Sequence, residues 1–321
     1  MKNFKPLTLV VALFVSTFAF YQCTNDEGLF TPIFDLDFAT LDELHDSISS
    51  DTVRFQVLTS EADTILEGPQ GIRLVFPLNS IGSGGSGGSS VPPYDVELIE
   101  IFRRGEMIAQ NIQSFENDNP LVSGGMFWLR VTDANGNLQN LNGVQAILPR
   151  QTDADSYEDE MVYFTDETQT TPSGSVLSWG INADGEVSYD AGAGDNGEYT
   201  MYDILNGWNH SAAIVDLIPS ESTQFSVKVP NVEDYSDTEV FFAWGEFTTV
   251  AALTNLSGDA LNTYTGSIPT GTTGTIIAIS LVEGSLYFAS QSVTVAGDDV
   301  FTLQVAPGTV PQLETVLASL D

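Results

Sequence analysis

The sequence is short of positive charge, of histidine and of cysteine, and each shortage removes a class of function. Only 9 Lys+Arg stand against 44 Asp+Glu, for a net charge of −35. Phosphate binding draws on clustered Lys and Arg, so nucleic acid is excluded as a partner. The 2 histidines, His45 and His210, are too few for a recognisable zinc constellation. H-E-x-x-H, P-loop and G-x-S-x-G patterns are all missing. A single cysteine, Cys23, leaves no disulfide, so every domain must rest on its own apolar core.

That cysteine sits at a telling place. Lys2 and Lys5 form a positive n-region, and residues 7–21 are an uncharged, mostly apolar stretch. It has the length of a signal-peptide h-region and falls short of the roughly 20 apolar residues needed to span a bilayer. Cys23 follows, in the position where a bacterial lipoprotein cysteine is acylated and becomes the first mature residue. Phe20, Tyr21 and Gln22 depart from the small residues usual before such a cysteine. Ordinary cleavage after Thr17, Phe18 and Ala19 would instead leave Cys23 as a free thiol. Lipidation is the expectation, because a lone cysteine in a secreted chain needs a reason. Thr24 and the following Asn25, Asp26 and Glu27 are similar to the acidic signal that directs Bacteroidota lipoproteins to the outer face of the outer membrane. The expected location is therefore the outer membrane, exposed at the surface.

The rest of the chain reads as all-β. Hydrophobic residues make up 42%, enough for packed cores rather than disorder. Short runs rich in Val, Ile, Phe and Thr alternate with Gly, Asn, Asp and Pro, as in β-sandwiches. In "TVRFQVLT", Val53, Phe55 and Val57 fall on one face, and "GIRLVFPL", "YDVELIEIF", "GMFWLRVTD" and "GVQAILP" continue the pattern. "TDANGNLQ" and "NADGEVS" carry Asn-Gly and Asp-Gly pairs that favour hairpins. The expected organisation is a signal peptide at 1–22 and an acidic tether at 23–50, with one short helix in "TLDELHDSISS". An N-terminal sandwich at 51–150 follows, with a Gly/Ser-rich loop at 82–90. Such a loop is long for a compact domain, and a designed linker would read the same way. An acidic, partly ordered connector is expected at 151–219, marked by Asp153, Asp155, Glu158 and Asp159. A C-terminal sandwich at 220–308 and a short helix at 309–321 complete the chain. Pro311 suits the helix's first turn, and Leu313, Val316, Leu317 and Leu320 form its apolar face.

Few residues offer chemistry. Ser-His-Asp catalysis would need His210 as its base, and a structural histidine is the simpler reading. A glycosidase needs two carboxyls at a set separation with one buried, which abundance alone does not supply. The protein is expected to be non-enzymatic and to need no cofactor. "DANGN" places Asp133, Asn135 and Asn137 at alternate positions, as oxygen ligands are offered to calcium, although a plain hairpin explains them as well. On "MFWLRV", alternation sets Trp128 opposite Phe127, Leu129 and Val131, which makes it the candidate ring for stacking on a glycan, although a contact with a second sheet or another domain is the simpler reading. Trp179, Trp208 and Trp244 are assigned to packing.

The stretches "ADTILEGPQGIRLVFPLNSI", "YDVELIEIF" and "LVSGGMFWLRVTDANGN" resemble a group of Bacteroidota surface lipoproteins whose first module is ZU5-like. The shared features are a Gly-x-x-(Ile/Leu)-x-x-Pro strand, a Val-x-(Leu/Ile)-x-Glu-(Ile/Leu) strand and a Ser-Gly-Gly strand. "GWNHSAAIVDL", "TIIAISLVEGSLYFASQSVTV" and "LETVLASLD" are similar to the same group, where they imply a transthyretin- or carboxypeptidase-regulatory-like sandwich. The resemblance implies no activity. The sequence thus points to a lipid-anchored surface protein that engages a protein partner as an accessory subunit, or alternatively a calcium-assisted glycan binder.

Overall fold

A computed structural model describes residues 38–59, 61–83, 91–151, 154, 156–193, 197–232 and 235–321. The signal peptide, Cys23, Asn25, Asp26, Glu27 and most of the Gly/Ser-rich loop lie outside the described residues. So do Asp153 and Asp155.

The fold is all-β and sandwich-type, with three short α-helices among the described residues. The first sandwich pairs two antiparallel sheets. In the larger, spatial order runs Val53–Val57, Tyr94–Ile101, Asn119–Thr132, Gly207–Ile214, Val162–Thr171, Gly174–Ile181. The facing sheet runs Glu186–Asp190, Glu198–Tyr202, Gln145–Pro149, Arg73–Phe76, Thr64–Glu67. Alternate residues of each strand fill the space between them, among them Leu74, Phe76, Phe127, Leu129, Leu148 and Tyr199. In the second sandwich, Val250–Ala252, Thr238–Trp244, Thr273–Val282, Ser285–Thr294 and Ala306–Pro307 form one sheet. Asn255–Ser257, Ala260–Asn262, Phe225–Lys228 and Asp299–Thr302 form the other, whose last two strands pair in parallel.

Residues 151–219 depart from the expected connector. Five of the first sandwich's strands come from this span, and Gly207–Ile214 sits in the middle of the larger sheet. "NADGEVS" also departs from a hairpin: it carries the chain from one sheet to the other, since Gly174–Ile181 and Glu186–Asp190 belong to different sheets. Gly185 is required there because a Cβ would collide with the Tyr163 ring.

A third core joins the two sandwiches. It gathers Ile101, Met126 and Trp179 from the first with Phe241, Ile277 and Ile279 from the second. Strands such as Thr238–Trp244 and Thr273–Val282 therefore feed two cores. In Thr238–Trp244, Phe241 and Ala243 point to the shared core while Val240, Phe242 and Trp244 point into the second sandwich. All seven residues of that strand are buried.

The three helices fill this junction. Helix α1, Leu41–Ile48, is capped by Thr40, whose hydroxyl accepts from the Glu43 amide at 3.2 Å while the Glu43 carboxylate accepts from the Ala39 amide at 2.8 Å. Its apolar stripe buries Leu41, Leu44 and Ile48, so the segment read as tether is part of the core from Phe38 onward. Helix α2, Arg104–Ala109, crosses α3, Val310–Ala318, and α3 buries Leu313 and Leu317 as the sequence pattern implies. The crossing depends on Gly105, because a Cβ there would strike the backbone carbonyl of Leu317. Arg104 clamps the same place, donating through its amide and Nε to Asp321 and through Nη1 to the carbonyl of Trp244. Gly105→Ala is expected to cost about 1–3 kcal/mol in chemical denaturation, the usual penalty for overpacking.

Candidate functional site

Strand register gathers a set of loops at one pole of the first sandwich. Val57 pairs with Tyr94 and Asp95 with Thr132, Gly207 lies beside Leu129, and Thr64 lies beside Phe76. The connections following Val57, Phe76, Thr132 and Tyr202 therefore share that end. They are tied together laterally: the Asn206 side chain accepts from the Val131 amide at 2.7 Å and donates to the Gln139 carbonyl at 2.7 Å, while Asp203 accepts from the Gly143 amide at 3.1 Å. The second sandwich docks at the other end, where Ser123 donates to the Thr248 carbonyl and the Thr249 hydroxyl donates to that of Leu121.

The pole is both apolar and acidic. Leu58, Ile65, Leu78, Val91, Leu138 and Leu205 are large exposed apolar side chains at or beside its loops, with Leu58 73% accessible. Glu61, Asp63, Asp95 and Asp203 stand among them. Loop residues are normally polar, so apolar side chains gathered on several loops at one end are the feature that needs a function. Sequence reading missed it, since strand register alone brings these separate leucines to one end.

Asp133, Asn135 and Asn137 lie on this pole in one tight turn. The Asp133 Oδ1 accepts from the amides of Asn135 and Asn137, each at 2.9 Å, and both of its oxygens accept from the Asn137 side-chain amide at 3.2 Å. Gly136 supplies the positive φ that closes the turn. Burial works against the charge on Asp133, but the Asn137 and Asn135 donors outweigh it and hold its carboxyl below the ordinary value. A cation would have to displace these donors. Millimolar calcium is accordingly expected to leave the melting temperature unchanged, and a rise that disappears in Asp133→Ala would assign a metal to the turn.

Trp128 falls on the outer face of the larger sheet, opposite the buried Phe127, Leu129 and Val131, as alternation implies. Its neighbours across the sheet are Ile99 and Trp208, and all three side chains are half-buried. The row lies at the margin of the shared core and is flanked by Arg54, Glu97 and Arg130, which form ion pairs at 3.0 and 3.5 Å. Trp179 and Trp244 are fully packed, whereas Trp208 is half-buried against the shared core.

The two histidines are both buried and lie in different settings. His210 Nε2 is 2.9 Å from the Ser123 hydroxyl, with the Trp179 ring centroid at 4.4 Å. Complete burial pushes its pKa down to about 3, and Nδ1 has no hydrogen-bond partner among the described residues. The carboxylate that would orient a catalytic imidazole is therefore missing from that nitrogen. His45, on α1, lies with Nδ1 3.1 Å from the Ala109 carbonyl and Nε2 2.6 Å from a Glu239 carboxylate oxygen. Burial alone would lower its pKa, but the hydrogen bond and charge of Glu239, helped by Ala109 and Asp42, raise it. Glu239 also accepts from Asn111 at 3.2 Å, so this pair ties the lead-in helix and both sandwiches together.

Two motif residues explain each other. Glu100, of the Val-x-Leu-x-Glu-Ile strand, accepts from the amides of Gln70 and Ile72 at 2.9 and 2.8 Å, and these flank Gly71 of the Gly-x-x-Leu-x-x-Pro strand. Gly68 leaves room for the carboxylate, since a Cβ there would sit 2.5 Å from its Cδ. Burial raises the Glu100 pKa despite these donors, with Glu106 adding to the effect. The group is enclosed by backbone and serves the loop rather than a substrate.

Among the described residues, no helix is long and apolar enough to cross a membrane, and no group of three or more His, Cys, Asp or Glu is placed to hold a metal ion. No family model matches the chain, and neither does any curated protein or solved structure.

Proposed function

We propose that this is a non-enzymatic, lipid-anchored surface protein of the outer membrane that engages a protein partner through the loop pole of its first sandwich, as an interaction or accessory subunit. The observation that supports this reading most is the gathering of exposed apolar side chains, Leu58, Leu78 and Leu138 among them, on laterally braced loops at one pole. Binding through loops carried by a rigid sandwich needs little ordering on association, which favours affinity. Cys23 supplies the anchor in this reading, and Asn25, Asp26 and Glu27 the address. Introduced charges, as in Leu78→Asp with Leu138→Asp, lie at exposed positions and should leave the fold intact while abolishing partner binding in crosslinking from cells. Partner recovery unchanged by the double substitution would count against the pole.

A second reading is favoured by the Trp128 and Trp208 neighbours on the outer sheet face, where half-exposed rings could stack on a sugar. Trp128→Ala separates the two: loss of glycan binding with partner binding intact would support the sugar reading at that row.

A further inference from the structure

We propose that the cleft between the two sandwiches is a separate binding site for a neutral, polyhydroxylated carbohydrate. The cleft has a volume of about 440 Å³, within the range of small-molecule sites. Three chain segments line it. The turn after Phe115–Glu116 contributes Asn117 and Asp118, the hairpin of Val162–Thr171 and Gly174–Ile181 contributes residues 167–170 and Ser178, and the second sandwich contributes Tyr264.

The lining disfavours anions and suits a ligand rich in hydroxyls. Its walls offer carboxylates (Asp118, Glu167), amides (Asn117, Gln169) and hydroxyls, with no cationic residue. An anion would meet uncompensated negative charge there. Elsewhere six of the seven described cations, Arg54, Arg73, Arg104, Arg130, Arg150 and Lys228, form ion pairs to carboxylates. An apolar ligand would have to desolvate these polar walls without replacing their hydrogen bonds. Hydroxyl groups both donate and accept, so a sugar can satisfy carboxylates and amides together. The only aromatic surface is at the floor, where Tyr264 packs on Phe115 with ring centroids 5.5 Å apart.

The walls are held before any ligand arrives. Buried Gln113 donates from Nε2 to both Gln169 Oε1 and the Tyr264 hydroxyl, each at 3.3 Å. These bonds fix the Gln169 side chain and the Tyr264 ring in place. The Ser178 hydroxyl is fixed by donating to the Phe115 carbonyl at 2.7 Å. Gly180 has no side chain where a Cβ would collide with the Glu167 carboxylate, so that carboxylate can lie across the strand. The cleft shares no lining residue with the loop pole or the Trp128 row, so the proposal stands apart from both readings above.

The test uses the full chain on an array of neutral gluco-, xylo-, manno- and galacto-oligosaccharides, with sialylated and sulfated oligosaccharides and spermine for comparison. Hits are followed by calorimetry. A neutral oligosaccharide should bind, and Gln169→Ala, Gly180→Ala and the exposed Thr170→Arg should each weaken it at least tenfold, with Trp128→Ala unchanged. Thr170→Arg alters no buried contact, so its loss of binding cannot be ascribed to unfolding. The proposal is overturned if no neutral oligosaccharide binds, if only spermine or anionic sugars bind, or if Trp128→Ala abolishes binding while Thr170→Arg does not.

Discussion

Glu239→Ala is expected to destabilise the protein by about 3–5 kcal/mol, the cost of leaving one member of a buried pair without the other. The side chains of His45 and Glu239 are only 7% and 8% exposed, and they meet at 2.6 Å. Removing the carboxylate strands the imidazole and also deprives Asn111 of an acceptor. The effect should depend on pH in a definite direction. The fold raises the His45 pKa above its unfolded value of about 6.5, so the protonated pair contributes fully below that pH. Its contribution is lost as pH rises through the higher folded value. In the milder Glu239→Gln variant, the stability gap to wild type should therefore be widest near about pH 6 and narrow on the alkaline side. Urea titrations of both proteins across that window measure it. A gap that widens as pH rises would mean that His45 is buried neutral.

Trp179→Ala should cost a comparable amount, about 3–5 kcal/mol for removing a large buried aromatic side chain. The ring is fully buried in the shared core, its Nε1 donates to the Gln113 carbonyl at 2.7 Å, and His210 packs against it. More informative than the size is which parts of the molecule respond. The shared core draws residues from both sandwiches and from all three helices. Loss of Trp179 should accordingly lower one calorimetric transition for the whole body. Two independent transitions, with only the earlier one shifted, would show that the sandwiches unfold separately.

The strand pattern was legible in the sequence because half-buried strands alternate. Val53, Phe55 and Val57, Leu74 and Phe76, and Phe127, Leu129 and Val131 all face inward as their spacing implies. The Asn-Gly turn at Asn135 and the C-terminal helix were legible for similar local reasons. The shared core was not, although its signature was present: "EVFFAW" and "TIIAIS" are apolar without alternation, which is how a strand buried on both faces reads. Residues 151–219 were misread for the opposite reason. Their acidic and Gly-rich turns suggested a linker, yet Tyr163, Trp179 and Tyr199 between those turns are core residues. Gly185 likewise serves a close approach to Tyr163 rather than a hairpin φ, a distinction that only the packing reveals. The candidate site was legible only in fragments. Trp128 and Asp133 stand out locally, but no local pattern links Leu58, Leu78 and Leu138, because their proximity comes from register.

The central claim is that the anchored protein holds a partner through its loop pole. The most direct measurement is crosslinking on intact cells followed by purification of the tagged full chain, alongside Cys23→Ala and the Leu78→Asp, Leu138→Asp double variant. A stoichiometric membrane partner that is recovered with the wild type and lost with both variants is the expected result. Recovery of the wild-type chain alone, or of a partner that the pole substitutions leave in place, would contradict it.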